Sequence, residues 1–256
     1  MDDFKDFVAK IYKKTGLDLA QYKEPQMKRR LTSLYIKHGF KNFNEFFQAI
    51  DKDRKLFDEF LDRMTINVSE FFRNGNRWQI LQEKIFPKLI KTNPRPKVWS
   101  AACSTGEEPY TLAIILSELL SSGSVNILAT DIDESAINRA KEGIYVKRSL
   151  QEVPEAYVKK YFSETDKGYA ISDSIKRCVT FKKQNLLADR FDTNFDLIVC
   201  RNVMIYFTDE AKHELYMKFS QSLKSGGVLF VGSTEQIFNP SVYNFRALDT
   251  FFYEKI

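Results

Sequence analysis

Residues 98–133 constrain the fold more than any other part of this 256-residue chain. They begin with the short apolar segment VWSA, which predicts a buried strand, and continue into a polar loop around Gly106. A helix is predicted next, because Pro109 suits a first helical turn and apolar residues follow it at helical spacing. A second apolar run then ends at Asp131. A strand, a helix and a second strand closed by a carboxylate are typical of a nucleotide-binding unit in an α/β sheet.

The loop of this unit indicates which ligand it binds. It has one glycine where a dinucleotide-binding fingerprint has three, and Glu107 and Glu108 would repel a diphosphate. A cationic ligand that carries an adenosine ribose fits better, because Glu108 would meet positive charge and Asp131 would accept hydrogen bonds from the ribose hydroxyls. The alternative is a plain strand-helix-strand unit whose acidic helix start is solvated.

Composition narrows the class of protein. Hydrophobic residues make up 43% and charged residues 29%, as in ordinary globular proteins. No apolar run approaches the roughly 20 residues that span a bilayer, and MDDFKDF lacks a signal-peptide pattern, so we expect a cytoplasmic protein without membrane insertion. No disulfide framework, metal site or histidine-based catalysis is expected from the few and scattered cysteines and histidines: Cys103, Cys178, Cys200, His38 and His213.

Basic residues are concentrated near the N-terminus, although the net charge of the whole chain is only +5. Between positions 13 and 41, Asp18 and Glu24 are accompanied by eight basic residues: Lys13, Lys14, Lys23, Lys28, Arg29, Arg30, Lys37 and Lys41. Such a surface predicts an anionic partner, either nucleic acid or an acidic protein face. A solvated helix face is the alternative.

The chain divides into a helical part and an α/β part. Apolar residues recur at helical spacing up to about Met64, which predicts an all-α domain that with its linker covers residues 1–75. The segment TINVSEFFRNGN joins it to a helix predicted at residues 77–91. Residues 76–256 then alternate strands and helices, which indicates a mostly parallel sheet.

Within the α/β part, helices are expected at residues 135–142 and 208–223, with a turn at residues 224–227. Strands are expected in FDLIVC, VLFVGS and TFFYEKI, the last two antiparallel to each other. The pattern is less regular at about residues 144–182, where YAIS and CVTFKK are predicted to pair as a small extra sheet.

Polar residues follow the predicted strands at the edge where open parallel sheets bind their ligands. Arg201 and Asn202 come directly after FDLIVC, and Tyr206 comes four residues after Asn202. Asn185, just before that strand, is placed to bind a purine edge, although an asparagine there is also a common turn residue.

Six motifs occur along the chain in this order: TINVSEFFRN, SAACSTGEEPYTLAI, ATDID, NLL, CRNVMIYF and VLFVGSTE. In this order and spacing, over nearly its whole length, the chain resembles the chemotaxis receptor methyltransferases of the CheR family. The resemblance implies an S-adenosylmethionine-dependent O-methyltransferase that esterifies glutamates on the cytoplasmic helices of bacterial chemoreceptors for adaptation. It also implies an α/β fold: a Rossmann-like class I methyltransferase sheet, mostly parallel with an antiparallel last strand, an N-terminal all-α domain and a small inserted β-subdomain.

The resemblance also assigns roles to individual residues. The chemistry of the residues themselves adds Arg73 and Tyr206 as the candidate catalytic residues. The residues implied to bind the cofactor are Asn67, Ser69, Arg73, Glu108, Asp131, Asn185, Leu186, Arg201 and Asn202. Those implied, more approximately, to dock the acidic receptor are Lys28, Arg29, Arg30 and Lys37. Ser69 replaces a threonine that is frequent in the family, and its hydroxyl is kept.

The implied reaction needs no general base, because a glutamate with a pKa of about 4.3 is already ionised at neutral pH. Arg73 would orient either the incoming carboxylate or the methionyl carboxylate of the cofactor. Tyr206 would contact the reaction centre through its hydroxyl or its ring, and plain packing is the alternative.

Two other functions remain open from the residues alone: a methyltransferase with an RNA acceptor, and a non-enzymatic sensor or scaffold. No aromatic residues visibly interleave with the basic cluster as stacking platforms, so no nucleic-acid partner is predicted. The insert is short and its loop holds only Gly168, which favours a member that needs no receptor C-terminal peptide as a tether. A monomer is expected.

Overall fold

The computed structural model describes residues 3–65, 69–120 and 125–256, so the predicted cofactor residue Asn67 lies outside the described residues. The N-terminal part consists of α1 Asp3–Thr15, α2 Glu24–Lys37, α3 Phe43–Lys52 and α4 Arg54–Thr65. Their apolar faces meet in one core around the fully buried rings of Phe7, Phe46 and Phe60. The predicted N-terminal all-α domain is confirmed.

A long helical segment leads from the linker into the sheet. It consists of α5 Gly75–Ile80, a wider π turn at Leu81–Ile85 and α6 Phe86–Thr92, which continue one another. The buried indole of Trp78 fixes its first turn, because Nε1 donates a hydrogen bond to the carbonyl of Arg73 at 3.0 Å. The linker carbonyl is therefore held by the helix that follows it.

Within the described ranges, ten strands form two sheets. They are β1 Val98–Ala101, β2 Ile127–Asp131, β3 Ile144–Tyr145, β4 Phe162–Thr165, β5 Gly168–Ile171, β6 Val179–Lys183, β7 Phe195–Cys200, β8 Leu223–Val231, β9 Phe245–Asp249 and β10 Phe252–Lys255. The main sheet has the order β6-β2-β1-β7-β8-β10-β9, and its first five strands are parallel. β10 is antiparallel to both β8 and β9, as predicted for the last strand.

The small sheet differs from the predicted one. It has the order β3-β5-β4, whereas CVTFKK forms β6 and pairs with β2 at the edge of the main sheet. The predicted pairing of YAIS with CVTFKK is therefore wrong, and an insert at about residues 144–182 overlaps β6. The physical reason is register: Val179 and Phe181 extend the apolar parallel sheet beside Ile127 and Ala129.

Two further predictions fail near the C-terminus. β8 begins at Leu223, so residues 224–227 are not a free turn but a bulge, at which the pairing with β7 shifts register. β9 was not expected, because its sequence FRALD has little strand-like alternation. It is held in place by pairing with β10 and not by its own pattern.

Helices cover both faces of the main sheet. They are α7 Glu107–Leu119, α8 Glu134–Glu142, α9 Glu155–Tyr161, α10 Asp173–Lys176 and α11 Asp209–Ser222. One core contains α7 residues and Val98, and the other contains α11 residues and Trp99, which is the alternation expected of strands buried on both sides. In the described ranges, no helix is long and apolar enough to cross a membrane.

The helical domain packs against the ligand edge of the sheet. Backbone N–H groups of Lys23 and Thr208 donate to the carbonyls of Tyr206 and Gln21 respectively, each at 2.9 Å. On another side of the contact, Arg139 on α8 forms an ion pair with Asp62 on α4 at 2.7 Å. These contacts place the helical domain over the carboxyl ends of the parallel strands.

Candidate active site

A pocket lies between the helical domain and the carboxyl ends of β1, β2 and β7. It encloses about 940 Å³, open solvent at its mouth included. The structure brings together in its wall every described residue that was predicted to bind the cofactor or to act in catalysis: Ser69, Arg73, Glu108, Asp131, Asn185, Leu186, Arg201, Asn202 and Tyr206.

The loop after β1 shapes the floor of this pocket. Ala102, Ser104 and Gly106 all have positive φ angles, so the chain turns sharply from β1 into α7. Gly106 is required at its position, because a Cβ atom there would lie 2.8 Å from the Cβ of Ala140. The close approach packs the loop backbone against α8.

Asp131 is bound by that loop. Its Oδ2 accepts a hydrogen bond from the N–H of Ser104 at 2.7 Å, and its Oδ1 accepts one from the N–H of Asp133 at 2.9 Å. Burial raises the pKa of Asp131 to about 6, although these backbone hydrogen bonds oppose the shift. The backbone N–H of Ile132 also donates to this carboxylate, which keeps acceptor capacity for a ligand hydroxyl.

Glu108 forms a buried pair with Arg201. Its Oε1 accepts a hydrogen bond from the hydroxyl of Ser100 at 2.9 Å, and its Oε2 lies 3.7 Å from Nη1 of Arg201. Burial raises the pKa of Glu108 to about 7, and the positive charge of Arg201 opposes that rise. The cation that Glu108 contacts in the structure is thus a side chain of the protein itself.

Arg201 is held by aromatic faces and by the linker. Its guanidinium lies 5.2 Å from the ring centroid of Trp78 and 4.8 Å from that of Phe230. Nη2 donates to the carbonyl of Arg73 and to Oδ1 of Asn74, both at 2.9 Å. Its buried Nε has no hydrogen-bond partner within the described ranges.

A buried glutamate that was not predicted organises the loop after β7. Oε2 of Glu235 accepts from the N–H groups of Asn202 and Gly232 at 2.7 and 2.8 Å, and Oε1 accepts from that of Met204 at 2.8 Å. Asn202 has a φ of 61°, a conformation that these bonds stabilise. The signal in the sequence was a glutamate directly after an apolar strand, in VLFVGSTE.

Asn185 and Leu186 lie on the opposite wall. Oδ1 of Asn185 accepts from the N–H of Leu187 at 3.0 Å, so this asparagine does serve as a turn residue as well as lining the pocket. The carbonyl of Leu186 accepts from Nζ of Lys218 at 2.7 Å. Both contacts make this wall a fixed part of the molecule.

Two tyrosines lie where the helical domain meets the pocket. The ring of Tyr206 lies 4.6 Å from the guanidinium of Arg30, and the ring of Tyr22 packs edge-on against Phe207 at 5.1 Å. Burial, with the nearby charge of Asp131, raises the pKa of Tyr22, so its hydroxyl stays protonated. Tyr22 was not predicted, because its position depends on how the two domains pack.

The four predicted docking residues lie on α2 but do not share one environment. Arg30 lies against Tyr206 at the pocket, and Arg29 is exposed beside it. Lys28 lies 5.5 Å from the ring centroid of Phe4. Lys37, at the far end of the helix, forms a 2.8 Å ion pair with Glu59. The structure thus brings only part of this set to the pocket.

Comparison with known proteins agrees with this architecture. The family model for the SAM binding domain of CheR methyltransferases matches residues 67–252, and the model for their all-alpha domain matches residues 2–65. The chain belongs to the CheR methyltransferase family. It is an S-adenosylmethionine-dependent chemotaxis protein-glutamate methyltransferase whose substrates are chemoreceptors.

Several chemotaxis protein methyltransferases are similar over their whole length. That of Listeria innocua is 45% identical over 254 residues, covering 99% of this chain and 97% of the relative. That of Borreliella burgdorferi is 36% identical over 250 residues, covering 92% and 88% respectively. Chemotaxis protein methyltransferase 1 of Pseudomonas aeruginosa is 35% identical over 254 residues, covering 93% and 91%.

The pocket of this CheR-family chain suits S-adenosylmethionine. Asp131 offers an acceptor for a ribose hydroxyl. Positive side chains of Arg73 and Arg201 and negative ones of Glu108 and Asp131 line the same space, as a ligand with both carboxylate and cationic groups requires.

Proposed function

We propose that receptor glutamates are methylated in the pocket between the two domains, with residues 76–256 holding the cofactor and residues 1–75 docking the receptor. The observation that carries this proposal is the convergence of Asp131, Glu108 and Arg73 on one pocket that Tyr22 of the helical domain also lines. A receptor segment that contacts α2 would thereby reach the cofactor. We expect the protein to act in the cytoplasm as a monomer.

The proposed binding roles follow from the free acceptors and donors of the pocket. Asp131 accepts from a ribose hydroxyl through the acceptor capacity that the backbone N–H groups of Ser104, Ile132 and Asp133 leave unused. Asn185 and Leu186 contact the adenine, and Ser69 and Asn202 complete the wall. Glu108 accepts from the ammonium of the methionyl part, while Arg201, fixed on Trp78, donates to its carboxylate.

The proposed chemistry requires orientation and exclusion of water but no proton transfer. Bound S-adenosylmethionine supplies a methyl group that its sulfonium activates for in-line displacement. Arg73 orients the receptor carboxylate, which is ionised because its pKa is about 4.3 in a free glutamate. The ring of Tyr206 covers the reaction centre. The guanidinium of Arg30 packs on this ring, and the backbone carbonyl of Tyr206 accepts a hydrogen bond from the N–H of Lys23.

A transfer assay tests the proposed function. The purified chain is mixed with cytoplasmic receptor fragments and cofactor labelled in the methyl group, and alkali then releases methyl esters as labelled methanol. Arg73→Ala should lower kcat at least about ten-fold, because an oriented carboxylate is lost. Arg95→Ala, on an exposed loop before β1, is the matched control and should change nothing. Absence of alkali-labile methanol with the unaltered chain would refute the proposal.

A further inference from the structure

The loop between β8 and β9, residues 232–244, exposes two large apolar side chains. Phe238 is 80% exposed and Val242 is 59% exposed, and together we call them the loop patch. Phenylalanine is usually buried, and Phe238 is the most exposed large apolar residue in the part of the chain that the structure describes. Exposure of large apolar side chains to water costs free energy that their burial in a complex would recover.

The loop that carries the patch is anchored on both sides. Before Phe238, the buried Ile237 donates its N–H to the hydroxyl of Tyr253 at 2.9 Å. After Val242, the ring of Tyr243 packs on Tyr216 at 5.1 Å, and its hydroxyl lies 3.1 Å from Nδ1 of His213. The patch is therefore presented by a fixed backbone and does not result from a frayed end.

The patch lies near the mouth of the pocket. Glu235, three residues before Phe238, binds the N–H groups of Asn202 and Met204 in the segment that lines the pocket. Three residues span at most about 11 Å, so Phe238 cannot be far from that segment. Arg30 lies against Tyr206 of the same segment. An apolar group and a cation thus flank one segment of the pocket wall.

The charge of the loop also indicates a contact surface. Glu235 is the one acidic or basic residue in residues 232–244, and it is buried. The exposed part of the loop therefore consists of apolar and uncharged polar side chains. The centres of protein interfaces have this composition, being depleted in charged residues and enriched in aromatic ones.

We infer that the loop patch is a docking surface for one helix of the chemoreceptor substrate. The inference rests on the proposed function and names a second contact for the same partner. A bundle helix that carries acceptor glutamates is acidic on its outer face, and residues at the border of its apolar stripe lie beside that face. Laid across the pocket mouth, it would place acidic side chains on Arg29 and Arg30 and apolar ones on Phe238 and Val242, which matches both charge and hydropathy.

Substitution of the patch tests this inference. Phe238→Ser should raise the KM for receptor fragments about five-fold or more, because a buried aromatic contact in the complex is lost, and should leave kcat and the Kd of S-adenosylhomocysteine unchanged. Phe238→Leu should restore most of the KM. The matched control is Tyr12→Ser, since Tyr12 is an aromatic residue 57% exposed on α1, and it should leave the KM unchanged.

The outcomes separate this inference from the proposed function. If the unaltered chain methylates receptors and Phe238→Ser leaves the KM unchanged, the docking surface is overturned while the proposed function stands. If the unaltered chain transfers no methyl group, the proposed function itself fails. Analytical ultracentrifugation tests for a different occupant of the patch. If the unaltered chain is a dimer and Phe238→Ser makes it a monomer, the patch binds a second copy of the chain and the inference is overturned.

Discussion

The carboxylate of Asp131 accepts a 2.7 Å hydrogen bond from the backbone N–H of Ser104, which ties the end of β2 to the loop that follows β1. Two strand ends and the start of α7 are thereby fixed around one acid. Because the same carboxylate faces the pocket, it shapes the site and offers acceptors to a ligand at once. A substitution at Asp131 should therefore affect binding more strongly than the loss of a single surface contact.

Asp131→Asn should weaken binding of S-adenosylhomocysteine at least about ten-fold, because a charge-assisted hydrogen bond to the ribose is lost. Isothermal titration calorimetry at pH 7.5 measures the change in Kd. This pH is about 1.5 above the raised pKa of Asp131, so the carboxylate is ionised. Asp192→Asn, which removes an exposed carboxylate paired with Lys97, is the control and should bind normally. Equal affinities for all three proteins would contradict the proposed ribose contact.

Stability of the ligand-free protein should depend on the titration of Glu108. Burial raises its pKa from 4.5 to about 7 in the folded chain, so the folded state binds the extra proton between these values. The stability that Glu108 contributes is therefore fully present below pH 4.5 and is lost as the pH rises through 7. Asp131, whose pKa is also raised, acts in the same direction.

Urea unfolding at pH 5.5 and at pH 8 measures this dependence, because the two pH values lie below and above the raised pKa of Glu108, about 7. Glu108→Gln should reduce the loss of unfolding free energy between the two pH values, because glutamine does not titrate. Glu210→Gln, an exposed site on α11, should leave the pH dependence as it is. A pH dependence that Glu108→Gln leaves intact would assign the effect to other groups.

The central unit of the fold was predictable because its signals are local. Apolar runs predicted β1 and β2, and Pro109 with helical spacing predicted α7. The rule that ligands bind beyond parallel strand ends placed Asp131 and Arg201 at one edge. The motifs that carry the family resemblance supplied Ser69 and Arg73, which lie in the linker, where no periodic pattern would single them out.

The failures all concern contacts between distant segments. β6 was assigned to the wrong sheet because an edge strand is specified by its neighbour and not by its own short sequence. The role of Glu235 depends on backbone N–H groups some thirty residues earlier in the chain, which no local pattern indicates. Tyr22 lines the pocket only because the helical domain packs against Phe207.

Glu235→Ala should lower the free energy of unfolding by about 3 kcal/mol, because buried N–H groups of Asn202, Met204 and Gly232 would lose their acceptor. Urea unfolding at pH 7 gives the value, and Glu210→Ala on the exposed start of α11 is the control. A loss of less than about 1 kcal/mol would show that water replaces the carboxylate without cost.

Gly106→Ala should be more destabilising than Gly16→Ala, although both glycines have positive φ angles, 92° and 72°. The two variants share a backbone strain of about 1–2 kcal/mol. At Gly16 nothing lies within 4 Å of the added Cβ, whereas at Gly106 it would lie 2.8 Å from the Cβ of Ala140. Overpacking should therefore add about 1–3 kcal/mol at Gly106. Equal losses of unfolding free energy in urea would mean that α8 shifts to make room for the added Cβ.

The basic residues of α2 should contribute unequally to receptor binding. Arg29→Ala should raise the KM for receptor fragments about two- to five-fold at low salt, since an exposed ion pair contributes at most about 1 kcal/mol. The increase should vanish at high salt, because ions screen exposed charges. Lys37→Ala is the matched substitution on the same helix and should have little effect, because Lys37 lies at its far end and is paired with Glu59 at 2.8 Å. Steady-state methylation at two salt concentrations compares the two variants. Equal changes in KM would mean that the receptor contacts the whole length of α2 and not only the part beside Tyr206.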